Sequence, residues 1–156
     1  MSHADDKNNT GQNPRQAFSN SENYFRQLTD TIPAIVWITD PSGYCTFLNQ
    51  SWYEFTGQNE QEALGYGWLD ATHPDDKQLS ADVFLTANAE RRPFRLTYRL
   101  KRKDGQYRWC TDSGRPKFNA TGEYEGMIGT VVDVHEERMA TEKLRNISAH
   151  LQLATA

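Results

Sequence analysis

The sequence is short of the residues that cross-link, chelate or anchor a chain. Its 156 residues hold two cysteines, Cys45 and Cys110, too far apart to form a Cys-x-x-Cys pair. A disulfide-stapled scaffold and a Cys-based zinc module are both disfavoured, and two lone thiols fit a reducing compartment. No apolar run approaches the roughly 20 residues that a bilayer-spanning helix needs. Met1 to Thr10 is polar and lacks the apolar stretch of a secretory leader. Positive charge is not in excess either. A net charge of -4 and an isoelectric point near 5.5 give no electrostatic case for nucleic acid or an anionic membrane. Hydrophobic residues make up 37% and mean hydropathy is -0.83, polar values that suggest one folded unit diluted by solvated ends. Aromatic residues at 12%, four of them Trp, argue against a wholly disordered chain. The length fits one domain with flanking segments.

Signatures of catalysis are missing as well. There is no Gly-x-Ser-x-Gly elbow, and neither cysteine has a histidine near it in sequence. The Gly65-Tyr66-Gly67 pair lacks the third glycine and the preceding strand of a dinucleotide fingerprint, and no phosphate-cradling Gly-x-x-x-x-Gly-Lys occurs. The chain is therefore expected to be non-catalytic by itself. His73, Asp75 and Asp76 could suggest a metal site. Pro74 and Asp75 also open a helix whose positive end favours carboxylates, which accounts for these residue types with no metal expected.

What is present is an ordered succession of short elements. Residues 1–21 read as a polar tail or linker, and Ser21 caps a helix from Glu22 to Asp30 with an apolar stripe of Phe25, Leu28 and Ile32, ended by Pro33. Ala34 to Asp40 and Tyr44 to Leu48 form a hairpin around Asp40-Pro41-Ser42-Gly43. Several short helical turns, broken by Gly57, Gly65 and Gly67, lead to a helix from Asp75 to Glu90. Three strands follow: Phe94 to Leu100, Tyr107 to Lys117 and Glu125 to Val134. Phe94, Leu96, Tyr98 and Leu100 alternate with Arg95, Thr97, Arg99 and Lys101, the period of a strand with one dry face. Two strands, a helical insert and three strands make an α+β fold with helices covering one sheet face. A last amphipathic helix begins at His135. Ala140, Leu144, Ile147 and Leu151 either form a dimer seam or pack back on the domain.

Taken together, these landmarks resemble a known family. Trp37-Ile38-Thr39-Asp40-Pro41-Ser42-Gly43 is followed by Asn49-Gln50-Ser51-Trp52-Tyr53-Glu54-Phe55-Thr56-Gly57, Gly65-Tyr66-Gly67-Trp68 and His73-Pro74-Asp75-Asp76. Arg102-Lys103-Asp104-Gly105, Arg108-Trp109 and Gly126-Met127-Ile128-Gly129-Thr130 complete the order. From Glu22 to Arg138 the chain resembles a PAS sensory domain of the PAS-fold-3 type with its PAC segment. The resemblance implies a five-stranded antiparallel sheet with helices on one face, a domain over residues 22–134, and a signalling helix over residues 135–156. The helix from Glu136 resembles the linkers of bacterial multi-PAS hybrid histidine kinases. Leu151-Gln152-Leu153-Ala154 resembles the opening of a further repeat.

By the family's register, the concave face carries Ile35, Trp37, Thr39, Cys45, Phe47, Leu96, Tyr98, Leu100, Cys110, Asp112, Met127 and Val131, closed by Trp52. Such a lining serves a small-molecule pocket or an ordinary filled core. Asp112 either faces inward, where it must be paired, hydrogen-bonded or protonated, or is turned to water at a bulge or edge. Trp109 lies on the other face with Tyr107 and Thr111, to be covered by Tyr24 to Leu28 or by Met139 to Leu144. With Asp133, Val134 and His135 it forms the junction to the exit helix.

The resemblance also bears on cofactors. The flavin-photosensor relatives carry a reactive Cys where Trp68 stands, and the haem-binding relatives place an axial His on the long helix, which has none from Asp75 to Glu90. Neither group is expected, and a small molecule of unspecified identity is left as the candidate ligand. His150 is not followed by the acidic residue of a phosphoacceptor site and reads as a solvated helix residue. The resemblance implies a cytoplasmic regulatory module of a bacterial signalling protein, foremost a sensor histidine kinase. A kinase or further PAS module would lie in cis, with homodimerisation through terminal helices or the outer sheet face. The alternative is a ligand-free dimerisation and relay module in a multi-PAS kinase or diguanylate cyclase.

Overall fold

Turn chemistry sets the hairpins. The Asp40 carboxylate accepts hydrogen bonds from Ser42 N–H (2.9 Å), Ser42 Oγ (2.6 Å) and Tyr44 N–H (3.0 Å). Asn119 Oδ1 does the same for Thr121 and Glu123 N–H at 3.0 and 2.9 Å, and Asp104 accepts from Gln106 N–H at 3.0 Å. A short polar side chain that mimics a backbone turn is why Asp and Asn occupy these places.

The computed structural model describes residues 14–154. The elements are α1 (Pro14–Asp30), β1 (Ile35–Thr39), β2 (Cys45–Leu48), α2 (Gln50–Thr56), α3 (Glu60–Ala63), a 3-10 turn (Gly67–Ala71), α4 (Lys77–Glu90), β3 (Phe94–Lys101), β4 (Tyr107–Phe118), β5 (Tyr124–Asp133) and α5 (His135–Ala154). The strands form one antiparallel sheet in the order β2-β1-β5-β4-β3. Trp52, Ala63, Ala71, Phe84 and Ala87 from the helical insert pack into the same core as the strands' inward residues. This is the expected α+β arrangement, and the core lies between insert and sheet.

Three features of the helices differ from the sequence reading. α1 starts at Pro14, so residues 14–21 are helix rather than linker and Ser21 is not its cap; residues 1–13 of the expected tail, and residues 155–156, lie outside the described residues. Proline suits a first helical position because its φ is preset and its missing N–H would be unpaired there anyway. The expected Phe25–Leu28–Ile32 stripe is not buried as a unit. Phe25 packs on Phe47 at 5.2 Å, while Leu28 and Ile32 are exposed. α1 is instead held at its end: Asn49 Nδ2 donates to the carbonyls of Thr29 and Ala34, both at 2.9 Å, and Gln50 N–H donates to Asp30 at 2.8 Å. The third difference is α4, which starts at Lys77 rather than Asp75, because the Asp76 carboxylate is taken by Arg99 instead of capping its own helix.

Candidate functional site

The inner face is organised by one aromatic row. Register places Trp37 of β1 opposite Gly129 of β5, Gly129 opposite Gly114 of β4, and Gly114 opposite Phe94 of β3. With no side chain on the two middle strands, the Trp37 indole lies across both glycines and stacks on Phe94, centroids 5.9 Å apart and planes at 25°. Phe84 of α4 closes over it edge-on, 6.0 Å from Trp37, and Trp68 meets Phe84 at 5.9 Å.

The indole's far end makes a polar contact in this apolar setting. Trp37 Nε1 donates to Asp112 Oδ1 at 2.7 Å, and Tyr98 Oη donates to Oδ2 at 3.2 Å. Asp112 is only 8% exposed. Loss of water raises its carboxyl to about 7, against the pull of the two donors, which favour the carboxylate. The Tyr98 hydroxyl is pushed far up by burial and by the neighbouring Asp112. Asp112 is thus inward and hydrogen-bonded, poised to exchange a proton near neutral pH.

Around this group lies a cavity of about 30 Å³ lined by Trp37, Thr39, Cys45, Leu48, Trp52, Trp68, Ser80, Phe84, Phe94, Leu96, Tyr98, Asp112 and Val131. Its volume suits a water-sized group, far below the roughly 300 Å³ at which drug-sized pockets begin. Ser80 Oγ is buried there and, among the described residues, finds no hydrogen-bond partner. Ile35, Leu100, Cys110 and Met127 of the expected lining are buried in the surrounding core but do not face the cavity.

Phe47 is a correction. A bulge between Ile38 and Thr39 in the β1–β2 pairing puts Phe47 opposite Ile38 and Leu48 opposite Trp37. A shift of one residue exchanges the faces, so Leu48 points inward and Phe47 packs under α1. Of the lining residues that sequence reasoning passed over, Phe94 continues the Leu96–Tyr98 alternation. Ser80 lies one turn before Phe84 on α4, so a helical wheel would have found it. No comparable signal marks Trp68.

At the exit from the sheet, Trp109 is flanked by two guanidinium groups. Arg138 of α5 lies 4.0 Å from the ring and Arg99 5.0 Å. The cover is therefore Arg138, one residue ahead of the expected Met139–Leu144 stretch, and not α1. Trp109 N–H donates to His135 Nδ1 at 3.2 Å, Val134 N–H donates to the Trp109 carbonyl at 2.9 Å, and Arg108 binds both Asp133 and Glu136. Beyond this seat α5 buries none of its residues. Leu144, Ile147 and Leu151 are 67%, 48% and 59% exposed, so the seam is not packed back on the domain; Ala140 and His150 are exposed too.

Comparison with known proteins agrees with this geometry. A profile described as PAS fold matches residues 46–131, more than half of the chain. The chain belongs to the PAS fold family. It is 38% identical over 128 residues to the uncharacterized protein y4lL of Sinorhizobium fredii, covering 82% of this chain and 16% of that protein. To the peroxide stress-activated histidine kinase mak1 of Schizosaccharomyces pombe it is 25% identical over 147 residues, covering 88% of this chain and 9% of the kinase. A sensory box histidine kinase/response regulator structure from Burkholderia thailandensis shares the fold, with a TM-score of 0.60, 24% identity, and 82% of this chain matched to 97% of that one. This PAS domain thus spans a small part of the curated relatives it matches.

Two thiols sit within the PAS core. Burial pushes Cys45 up to about 11 and Cys110 to about 12, so both stay protonated, and an inert thiol is neither nucleophile nor metal ligand. In the folded domain both should react with iodoacetamide at neutral pH at least about 100-fold more slowly than in the unfolded chain. A mass-spectrometric time course checks this, and labelling of either thiol at the unfolded rate would show an open core. Among the described residues no group of three His, Cys, Asp or Glu could hold a metal ion. His73 instead accepts from Asp75 N–H and packs on Tyr107 at 4.6 Å. No helix among the described residues is long and apolar enough to cross a membrane.

Proposed function

We propose that this PAS domain is a regulatory module of a cytoplasmic bacterial sensor histidine kinase, passing the state of its inner face to an output unit in cis through α5. One observation carries the reading: α5 is clamped to β4 and β5 at its first turn by Arg108 and Trp109, then runs on to Ala154 without burying a residue. A helix seated at one end that exposes Leu144 and Ile147 two to three turns further on is a lever with an apolar stripe open to a partner. The named histidine kinase among the relatives supports the kind of output.

The lever's partner in this reading is α5 of a second copy, through Leu144 and Ile147. The chain should show concentration-dependent dimerisation in sedimentation velocity. Leu144→Arg combined with Ile147→Arg should hold it monomeric while shifting Tm by no more than about 2 °C, since neither side chain is part of the core. A wild-type chain that stays monomeric at every concentration would remove the dimer from the proposal.

The near-filled interior favours a second reading, relay without a resident ligand. Neither reading uses a flavin–thiol or haem centre, because Trp68 stands where the thiol would and α4 offers no histidine. Native mass spectrometry separates the two: a co-purifying small molecule supports ligand sensing, whereas a bare dimer supports relay.

A further inference from the structure

The helix that walls the cavity and the helix that leaves the domain are joined by a line of side chains running around the free edge of the sheet. β3 is that edge. Residues 72–76 run beside it: Thr72 pairs with Leu100, and His73 N–H donates to the Arg99 carbonyl at 2.9 Å. Asp76 then turns its carboxylate toward the edge. Oδ2 accepts from the Arg99 backbone N–H and from Nε, and Oδ1 accepts from Nη2, each at 2.9 Å. A bidentate fork with a third backbone bond fixes the guanidinium plane, which a lysine could not reproduce. The carboxylate is held below its ordinary range by Arg99, so the fork stays charged well into the acid range.

The fixed guanidinium faces the Trp109 ring, and Arg138 of α5 faces the same ring. Trp109 alternates with the inward Cys110, so this ring is on the sheet face away from the cavity. On the cavity side, Ser80 and Phe84 follow Asp76 by one and two helical turns.

We propose that Asp76, Arg99, Trp109 and Arg138 form a relay by which the position of α4 sets how firmly the first turns of α5 are seated. A movement of α4 that carries Asp76 with it withdraws the fork, frees the Arg99 guanidinium to tilt, and alters the ring surface available to Arg138. Arg108, bound to Asp133 and Glu136, seats the same helix from β4 without touching α4, which makes it the natural control. The relay deepens the reading of α5 as the output element, but it is a coupling within this chain and can be tested without any output domain or dimer.

The test is residue-resolved amide hydrogen exchange on the whole 156-residue chain. Asp76→Asn, which alters no atom in contact with α5, should raise exchange at residues 138–142 about three- to fivefold, the worth of one exposed cation–π contact. Arg138→Gln should do the same, and the double variant should exchange no faster than Arg138→Gln alone. Arg108→Gln should instead multiply with Asp76→Asn. A general loosening would raise exchange throughout β3, β4 and β5, whereas the relay confines the rise to α5. Should Asp76→Asn fail to fold, Arg99→Met keeps the stem against Trp109 while removing the guanidinium, and the same rise is expected. Unchanged exchange at residues 138–142 in the folded variant, or effects of Asp76 and Arg138 that multiply, would overturn the relay. Because these outcomes do not depend on dimerisation, loss of the relay would leave the dimer proposal standing, and loss of the dimer would leave the relay standing.

Discussion

Replacing Asp112 by asparagine is expected to flatten the dependence of stability on pH between pH 5 and pH 8. In the folded chain the carboxyl binds its proton up to about pH 7, against an ordinary value of 3.8. A group with a raised folded value contributes stability that is complete below the unfolded value and is lost as pH rises through the folded one. Between pH 5 and pH 8 this one carboxyl should withdraw about 3 kcal/mol, equivalent to roughly 10 °C in Tm for a domain of this size. Asparagine keeps the arrangement without the titration. Its oxygen accepts from Trp37 Nε1, and its amide donates to Tyr98 Oη once that hydroxyl turns from donor to acceptor. Thermal unfolding of both proteins at the two pH values decides the matter. Asp40, Asp76 and Asp104, all held below the ordinary carboxylate range by hydrogen bonds, are common to both and cancel in the difference. Wild-type and variant curves that run parallel would mean that Asp112 does not titrate in the fold.

An effect at least as large is expected from the smallest change in the sheet. Gly129→Ala adds one carbon, which would stand 2.3 Å from Trp37 Cζ2 and 2.4 Å from the Ser113 carbonyl oxygen. The ring is pinned by Phe94, Phe84 and Asp112, and the carbonyl belongs to the neighbouring strand, so neither can yield cheaply. A loss of about 3 kcal/mol or more is expected, lowering Tm by about 10 °C or preventing folding outright. Trp37→Phe in the same chain should recover part of that loss, although it costs stability on its own by removing one of the two donors to Asp112. Denaturant unfolding of the four proteins in the cycle measures the coupling. Independent effects would show that the indole does not rest on Gly129.

These two sites differ in how far the sequence disclosed them. By the family's register Asp112 falls on the inward face with Cys110, and it is the structure that decides between that placing and a turn to water. The succession of strands along the chain was legible from the alternation in β3 and from Asp40, Asp104 and Asn119 at the turns, whereas their order across the sheet left no mark in the sequence. Gly129 was visible only as part of a landmark and Gly114 not at all, since what makes them matter is a register across four strands that puts both under one ring. Phe47 was assigned to the wrong face because a bulge is a property of a pair of strands and leaves no mark on either alone. The start of α1 was missed because residues 14–21 are polar and nothing in their periodicity announces a helix. Asp76 was read as a helix-opening carboxylate, since its real partner stands 23 residues away in β3.

Asn49 gives the molecule an asymmetry. Its side chain ties α1 to the start of β1 by bonds to Thr29, Ala34 and Val36, on the β2–β1 flank, whereas α5 is bolted to β4 and β5 through Arg108 and Trp109. The strands at which the two helices are tied, β1 and β5, are hydrogen-bonded neighbours. In a string of such units, torque arriving on one helix has to cross the seam between β1 and β5 before it reaches the next, so each unit works as a gear between two shafts rather than as a bead on one.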